Sequence, residues 1–294
     1  MRVAFLLQPT GPDDLRPRIN PVTAEVIARL QERGVQVDAA VPEDGAVDLA
    51  ELRPAHDLYV LKSKTPLALS LGGALSAAGA PVLNSVRSCS LVRDKIAVTA
   101  VLAAAGVPVP FSWATGHAAN LRPLLAEGAI WVKPPRGSKG LGVRRIVDAA
   151  AVDDTLTPND PSGLPLPVFA QRDVPSGGRD LKVYVVGEHA WAIEKPWPVR
   201  TIADKIGRPA QLPPGVRETA VRCGDAVGLE LYGVDFLVAG NGFSVVDINA
   251  FPGFRGPPDL PRRLADYIHE RAACAAEGAS GGRRRPGNGR MVSA

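Results

Sequence analysis

Two aspartates interrupt apolar runs near the C-terminal end of the sequence: Asp235 within Gly233-Val234-Asp235-Phe236-Leu237-Val238, and Asp247 within Phe243-Ser244-Val245-Val246-Asp247-Ile248-Asn249. A buried carboxylate is expensive unless it is paired or bound to a metal. If the two runs pair as a hairpin across Ala239–Gly242, the acids converge on one face near the strand ends. Asn249, two residues after Asp247, points the same way on an extended chain. Two carboxylates and an amide oxygen are a hard-oxygen set suited to Mg²⁺, with phosphate oxygens completing the shell. The plainer alternative is a pair of exposed edge acids; the coincidence of three oxygen donors favours the metal.

A second segment, Trp131-Val132-Lys133-Pro134-Pro135-Arg136-Gly137-Ser138-Lys139-Gly140-Leu141-Gly142-Val143, puts a lysine at the end of a strand and a glycine-rich turn after it. Glycines let backbone N–H groups approach phosphate oxygens, and Lys133 adds a full charge beside them. No GK[ST] ending is present and no helix follows, so this is not a Walker A loop. Arg136 stands at the first glycine position of a GxSxG elbow, which excludes that motif too. A flexible hairpin loop is the alternative.

A third segment runs from Val168-Phe169-Ala170-Gln171-Arg172-Asp173-Val174 into Gly178-Arg179-Asp180-Leu181-Lys182-Val183-Tyr184. An apolar strand leaves into a polar linker there, and Gln171 with the backbone after it can pair with an adenine edge. Lys182, on a strand otherwise made of Leu, Val and Tyr, is either a surface residue or a phosphate contact.

The elements that must position these groups follow from periodicity. Residues 1–84 alternate strand and helix, with Val3–Leu7, Val35–Val41, Leu58–Leu61 and Val82–Leu83 as strands and helical spacing over 23–33 and 67–78. That order predicts a small parallel sheet with helices on its faces. A helix over 88–105 leads to a second unit with strands at 130–133 and 143–147. The Pro-, Asp- and Gly-rich stretch 153–167 reads as a loop. The last unit pairs 181–186 with 190–194 across Gly187-Glu188, and 231–238 with 243–248. Between them lie an irregular stretch over 196–215 and a helix over 216–227; a helix over 260–275 closes the unit. The expected organisation is an N-terminal α/β unit (1–84), a central α+β subdomain (85–167), a C-terminal α+β subdomain carrying the metal site (168–275) and a disordered basic tail (276–294).

Bulk properties narrow the function. The chain has 294 residues, 46% of them hydrophobic, and a formal net charge of +4. Arg283, Arg284, Arg285 and Arg290 against Glu277 supply three of those four charges, so the rest of the chain is near neutral and offers no broad nucleic-acid surface. No apolar run reaches the roughly 18 residues a membrane helix needs. The expectation is a soluble, cytoplasmic protein bound to neither membrane nor nucleic acid, with homo-oligomer formation left open. The three cysteines are widely spaced with no CxxC pair, which supports neither a disulfide framework nor a zinc ribbon. The four histidines are scattered, and no Ser/His or Cys/His constellation for nucleophilic catalysis is evident.

The three segments occur in the order and approximate spacing of the ATP-grasp superfamily, which the chain resembles from about Asn84 to Ile268. Two branches are closest: the ribosomal-protein glutamate ligases and amino-acid ligases, and the inositol trisphosphate kinases. Val245–Gly253 and Lys182–Glu188 look like the kinases; the Gly137–Gly142 loop looks like the ligases, whose glycine-rich flap closes over the phosphates. The resemblance implies an α/β and α+β fold in which two α+β subdomains grip ATP behind an N-terminal parallel-sheet unit. It implies ATP contacts at Lys95 (after Asp94), Lys133, Gly137, Ser138, Gly140, Gln171, Val174 and Asp180, and Mg²⁺, or Mn²⁺ in its place, at Asp235, Asp247 and Asn249. Asp180 and Lys182 resemble an Asp-x-Arg pair of the ligases, with Lys in place of Arg; the charge is kept and the bidentate fork is lost. Many ligases carry Glu where Asp247 stands, which tilts toward the kinases. Lys182, Lys195 and Arg200 are the expected catalytic cations. Lys62, Lys64, Lys205, Arg208 and Arg255 are further candidates to face a small anionic substrate. The favoured activity is a carboxylate–amine ligase working through an acyl phosphate. The alternatives are a kinase acting on a polyol or inositol phosphate, and a non-catalytic nucleotide-binding module.

Overall fold

In the computed structural model of the chain the described residues are 1–137, 141–152, 166–176, 179–196, 201, 204, 206–240 and 242–281. They form two compact units: residues 1–82 with the chain from Arg262 onward, and Leu83–Pro261.

The first unit is the expected parallel sheet. β1 (Arg2–Leu6) lies between β2 (Gln36–Ala40) and β3 (Leu58–Leu61), parallel to both, and β4 (Val82–Leu83) follows β3 at the edge. Helix α1 (Pro21–Glu32) starts where the Asn20 side chain accepts the Thr23 N–H, with Pro21 in the first turn, where a missing N–H costs nothing. Thr65 and Pro66 repeat the arrangement for α2 (Pro66–Ala77). Val3, Phe5, Leu30 and Val60 are fully buried in this unit. The last helix, α6 (Leu260–Gly281), groups with it from Arg262, and Asp266 pairs with Arg33. The sequence reading closed that helix at Ala275 within the C-terminal subdomain; residues 282–294 of the expected tail lie outside the described residues.

The second unit holds two antiparallel sheets. The apolar run over 88–105, read as one helix, is two: α3 (Val86–Leu91) and α4 (Lys95–Ala104). Asp94 causes the break, since its carboxylate accepts the N–H groups of Ile96 (3.1 Å) and Ala97 (3.2 Å) and starts a new helix at Lys95. The four-stranded sheet comprises β5 (Ser112–Thr115), β6 (Ile130–Lys133), β7 (Arg144–Ile146) and β8 (Val168–Arg172), in the order β5-β8-β6-β7. Its apolar face, with Ile130, Val132, Val168 and Ala170, packs with Leu121 of a 3-10 helix (Ala118–Glu127). By alternation the opposite face carries Trp131, Lys133, Phe169 and Gln171.

The five-stranded sheet comprises β9 (Arg179–Val186), β10 (His189–Pro196), β11 (Arg208–Ala210), β12 (Leu231–Ala239) and β13 (Gly242–Ala250), in the order β11-β10-β9-β12-β13. The turn at Gly187-Glu188 pairs β9 with β10 from Val186 opposite His189. Leu181, Val183, Val234 and Phe236 line the apolar face, and the Tyr232 hydroxyl on that face donates to the carbonyl of Ala220 in α5 (Val216–Val227). Strands β5 and β11 were not evident in the sequence, and most of the 153–167 loop lies outside the described residues. No helix among the described residues is long and apolar enough to cross a membrane.

Candidate active site

The polar face of the five-stranded sheet is built by register. Lys182 on β9 stands opposite Asp235 on β12, and Asp235 stands opposite Asp247 on β13, so one row crosses three strands. The pairing slips just after Asp235, where a bulge leaves Phe236 opposite Val245. The Lys182 ammonium donates to Asp235 Oδ2 at 2.6 Å with the lysine only 6% exposed. Asn249 Nδ2 donates to Asp247 Oδ2 at 3.0 Å. Gly233, beside this row, leaves room for the lysine: a Cβ there would lie 2.8 Å from Lys182 Cε and 3.1 Å from Pro252 Cγ, so a larger residue must displace one of them.

Asp180 and Lys195 extend the face by one row, paired across β9 and β10. Asp180 Oδ1 is buried and has no hydrogen-bond partner among the described residues. Burial, with help from the Asp235 charge and against Lys195, pushes the Asp180 carboxyl up to about 6. Burial lowers Lys195, and Asp235 opposes the shift.

After Asn249 the chain turns through Phe251 (φ 35°) and Phe254 (φ 48°), the positive-φ residues other than glycine among those described. Such backbone costs about 1–3 kcal/mol per residue and persists only where packing holds it. Here Phe251 and Phe254 meet edge to face, 5.5 Å between centroids, and Tyr184 lies 5.4 Å from Phe254. Burial pushes the Tyr184 hydroxyl up to about 12.

On the four-stranded sheet, the Lys133 ammonium donates to Gln171 Oε1 at 2.6 Å and sits 6.0 Å from the centre of the Phe169 ring. Burial draws Lys133 down to about 8; Asp247 and Asp235 oppose the shift and Lys95 adds to it. These mutual influences bring Lys133, Lys95, Asp235 and Asp247 into one electrostatic neighbourhood. Lys95 is held at the start of α4 beside the turn after β6: its N–H donates to the Pro135 carbonyl (2.9 Å) and its ammonium to the Gly137 carbonyl (3.1 Å). A cavity of about 500 Å³ lies between α4 and β5, lined by Ile96, Ala100, Val109, Phe111, Ser112 and Phe169.

Of the residues singled out by sequence, the structure gathers Lys182, Asp235, Asp247 and Asn249 on one face with Asp180 and Lys195, and Lys133 and Gln171 on another. Lys95 and Gly137 meet beside the latter, and Val174 lies in the connection after β8. Ser138, Gly140, Arg200 and Lys205 lie outside the described residues. Lys62 and Lys64 belong to the first unit, Arg208 opens β11, and Arg255 is exposed after the strained turn. Sequence reasoning missed Asp94 as a helix cap, although an acid just before a helical run is the ordinary signal for one.

The donor set suits a hard divalent ion. Residues directly opposite on antiparallel strands have Cβ atoms about 5 Å apart, which lets Asp235 and Asp247 share a cation with oxygen bonds of about 2.1 Å. The Lys182 ammonium already places positive charge against Asp235. Among the described residues there is no cluster of three or more His, Cys, Asp or Glu side chains able to hold a metal; this set is two carboxylates and an amide.

No model of a known protein family matches the chain. A probable α-L-glutamate ligase of Thioalkalivibrio sulfidiphilus is 30% identical over 207 residues, covering 65% of this chain and 68% of that protein. Among solved structures, the RimK-domain ATP-grasp protein of Sphaerobacter thermophilus superposes with a TM-score of 0.71 at 20% identity, over 92% of this chain and 100% of that one. The ATP-grasp ligase PsnB, solved with its minimal precursor, Mg and ADP, gives 0.68 at 21% identity, over 92% and 97%. The fold is therefore that of the ATP-grasp ligases. The chain belongs to the α-L-glutamate ligase family, in the amino-acid ligase branch of the ATP-grasp superfamily, and is an ATP-grasp ligase.

Proposed function

We propose that the protein joins a carboxylate to an amine at the expense of ATP, through an acyl phosphate, with Mg²⁺ held by Asp235, Asp247 and Asn249. The observation that carries this reading is the row Lys182–Asp235–Asp247, a lysine and two carboxylates side by side on one sheet face. A bound Mg²⁺ would supply charge neutralisation on the β- and γ-phosphates. Lys95 and Lys133 serve the phosphates, and the buried Gln171 serves the adenine edge next to Val174. Lys182, held against Asp235 on the same face, places its positive charge beside the transferred phosphoryl group. Lys195 neutralises the substrate carboxylate. Asp180, with its raised carboxyl, belongs to the nucleotide side of the same face.

In the first half-reaction a carboxylate oxygen attacks the γ-phosphorus and ADP leaves. In the second, the amine attacks the acyl carbon and phosphate leaves, so each amide formed releases one ADP and one phosphate. No protein nucleophile is required, and the chain's contribution is positioning and electrostatic stabilisation. Glutamate is the first substrate to test, after the name of the Thioalkalivibrio relative. The test is incubation with Mg-ATP, L-glutamate and pooled amines, with ADP and phosphate assayed separately. Equal, substrate-dependent release of both, with an amide product in the mass spectrum, is expected. ADP without phosphate would mean that the phosphoryl group stays on an acceptor, as in a kinase.

A further inference from the structure

Asp173 follows β8 directly, where the chain leaves the four-stranded sheet. Both of its carboxylate oxygens are engaged. Oδ1 accepts from Trp131 Nε1 at 2.8 Å, and Oδ2 accepts from two nitrogens of Arg145, Nε at 2.8 Å and a terminal nitrogen at 2.6 Å. The Asp173 N–H donates to the Ala129 carbonyl at 3.0 Å, so the strand pairing continues past Arg172. Trp131 stands opposite Arg145 across β6 and β7, and opposite Gln171 across β6 and β8. All three therefore share the face that carries Lys133. One carboxylate ties β6 and β7 to the end of β8, next to the Lys133–Gln171 pair. Both Arg145 nitrogens converge on Oδ2, a charge-assisted contact, while Oδ1 holds the indole N–H, so the one carboxylate links the Arg145 and Trp131 side chains.

We infer that Asp173 is a positioning residue for the nucleotide: it clamps Trp131, Arg145 and the start of the connection, and so holds Gln171, Lys133 and Val174 where a nucleotide meets them. The inference rests on the reading of this face as the nucleotide site. Its sign separates it from simple electrostatics. Removing a negative charge near a polyphosphate strengthens binding if only charge matters; loosening the residues that meet the nucleotide weakens it, because small misplacements are costly.

The experiment is calorimetric titration of the full chain with Mg-ADP. Asp173→Asn is expected to weaken binding by about tenfold or more, against the electrostatic direction. Asp173→Glu, which restores the acceptor, should recover part of the loss. Trp131→Phe carries no charge change and keeps an aromatic ring. It should weaken binding too, and combining it with Asp173→Asn should cost less than the two single effects together. It also keeps the test open if Asp173→Asn does not fold. Unchanged or tighter binding in a folded Asp173→Asn, or wild-type affinity in Trp131→Phe, would overturn the inference. Lys133→Met is measured in parallel. If Lys133→Met binds Mg-ADP like wild type, it is the nucleotide-face reading that fails; if only the Asp173 and Trp131 variants do, the clamp alone fails.

Discussion

Lys133 makes nucleotide affinity depend on pH in a direction that can be worked out. Burial holds its ammonium near 8, so in the free protein it is charged below that pH and neutral above it. A phosphate beside it favours the charged form and raises its pKa in the complex. Affinity is therefore flat below about 8 and falls as pH rises from there to the bound-state value. Two unit charges about 4 Å apart at an effective dielectric of about 20 interact by about 4 kcal/mol. Solvent around the bound polyphosphate screens this interaction, and halving the figure for it leaves about 2 kcal/mol, or about 1.5 pKa units and about thirtyfold in affinity. The assay is Mg-ADP titration by calorimetry from about pH 6.5 to about 10, on wild type and Lys133→Met. Wild type should lose affinity above pH 8 by roughly that factor, and the variant should be weaker and flat over the same window. Parallel pH profiles for the two proteins would mean that Lys133 does not carry the pH dependence. Folding stability responds oppositely. With the folded value below the unfolded one of 10.5, the unfolded chain holds the extra proton between about 8 and 10.5, so the contribution of this residue to stability rises with pH across that window.

Three further outcomes are expected. Asp247→Ala should lower nucleotide turnover by at least about a hundredfold while the melting temperature stays within a few degrees, checked by ADP release and circular dichroism; wild-type-like turnover would sink the metal assignment. Gly233→Ala pushes a methyl group into Lys182 and Pro252 and should cost about 1–3 kcal/mol in urea unfolding, with a disproportionate loss of turnover as Lys182 is displaced from Asp235. Gly224→Ala would place Cβ 2.1 Å from the Tyr232 hydroxyl, inside the packing of α5 on the sheet. It should destabilise by about 3 kcal/mol, read as a lowered urea midpoint, with little effect on nucleotide affinity in the folded fraction.

The parts of the site legible in the sequence are those where a residue type contradicts its surroundings. Asp235, Asp247 and Lys182 stand out because charges inside apolar strands need partners, and the period-2 alternation places Asn249 beside Asp247. The βαβ order of residues 1–83 is likewise written in apolar runs and glycine stops. What was not legible depends on contacts distant along the chain. Trp131, Arg145 and Asp173 meet only because β6, β7 and β8 are neighbours, and nothing local to any of them announces it. Strand β5 is short and lies between Pro110 and Gly116, with only Trp113 packed against the apolar core, so it carries no run to detect. The division of the 88–105 helix turns on one side chain, Asp94, whose capping of Ile96 and Ala97 interrupts an otherwise continuous apolar periodicity. The positive φ at Phe251 and Phe254 is invisible in composition, since the contacts around it, Phe251 with Phe254 and Phe254 with Tyr184, form only in the fold.

If ATP activates the carboxylate by phosphorylating it, an oxygen atom must pass from the carboxylate to the released phosphate, and isotope labelling follows that atom. The protein would be incubated with Mg-ATP, an amine found to support turnover, and a carboxylate substrate labelled with ¹⁸O in its carboxyl group, and the released phosphate analysed by mass spectrometry. One labelled oxygen is expected in the phosphate for each amide formed, because the carboxylate oxygen that attacks phosphorus leaves with it. Amide formation with unlabelled phosphate would contradict it.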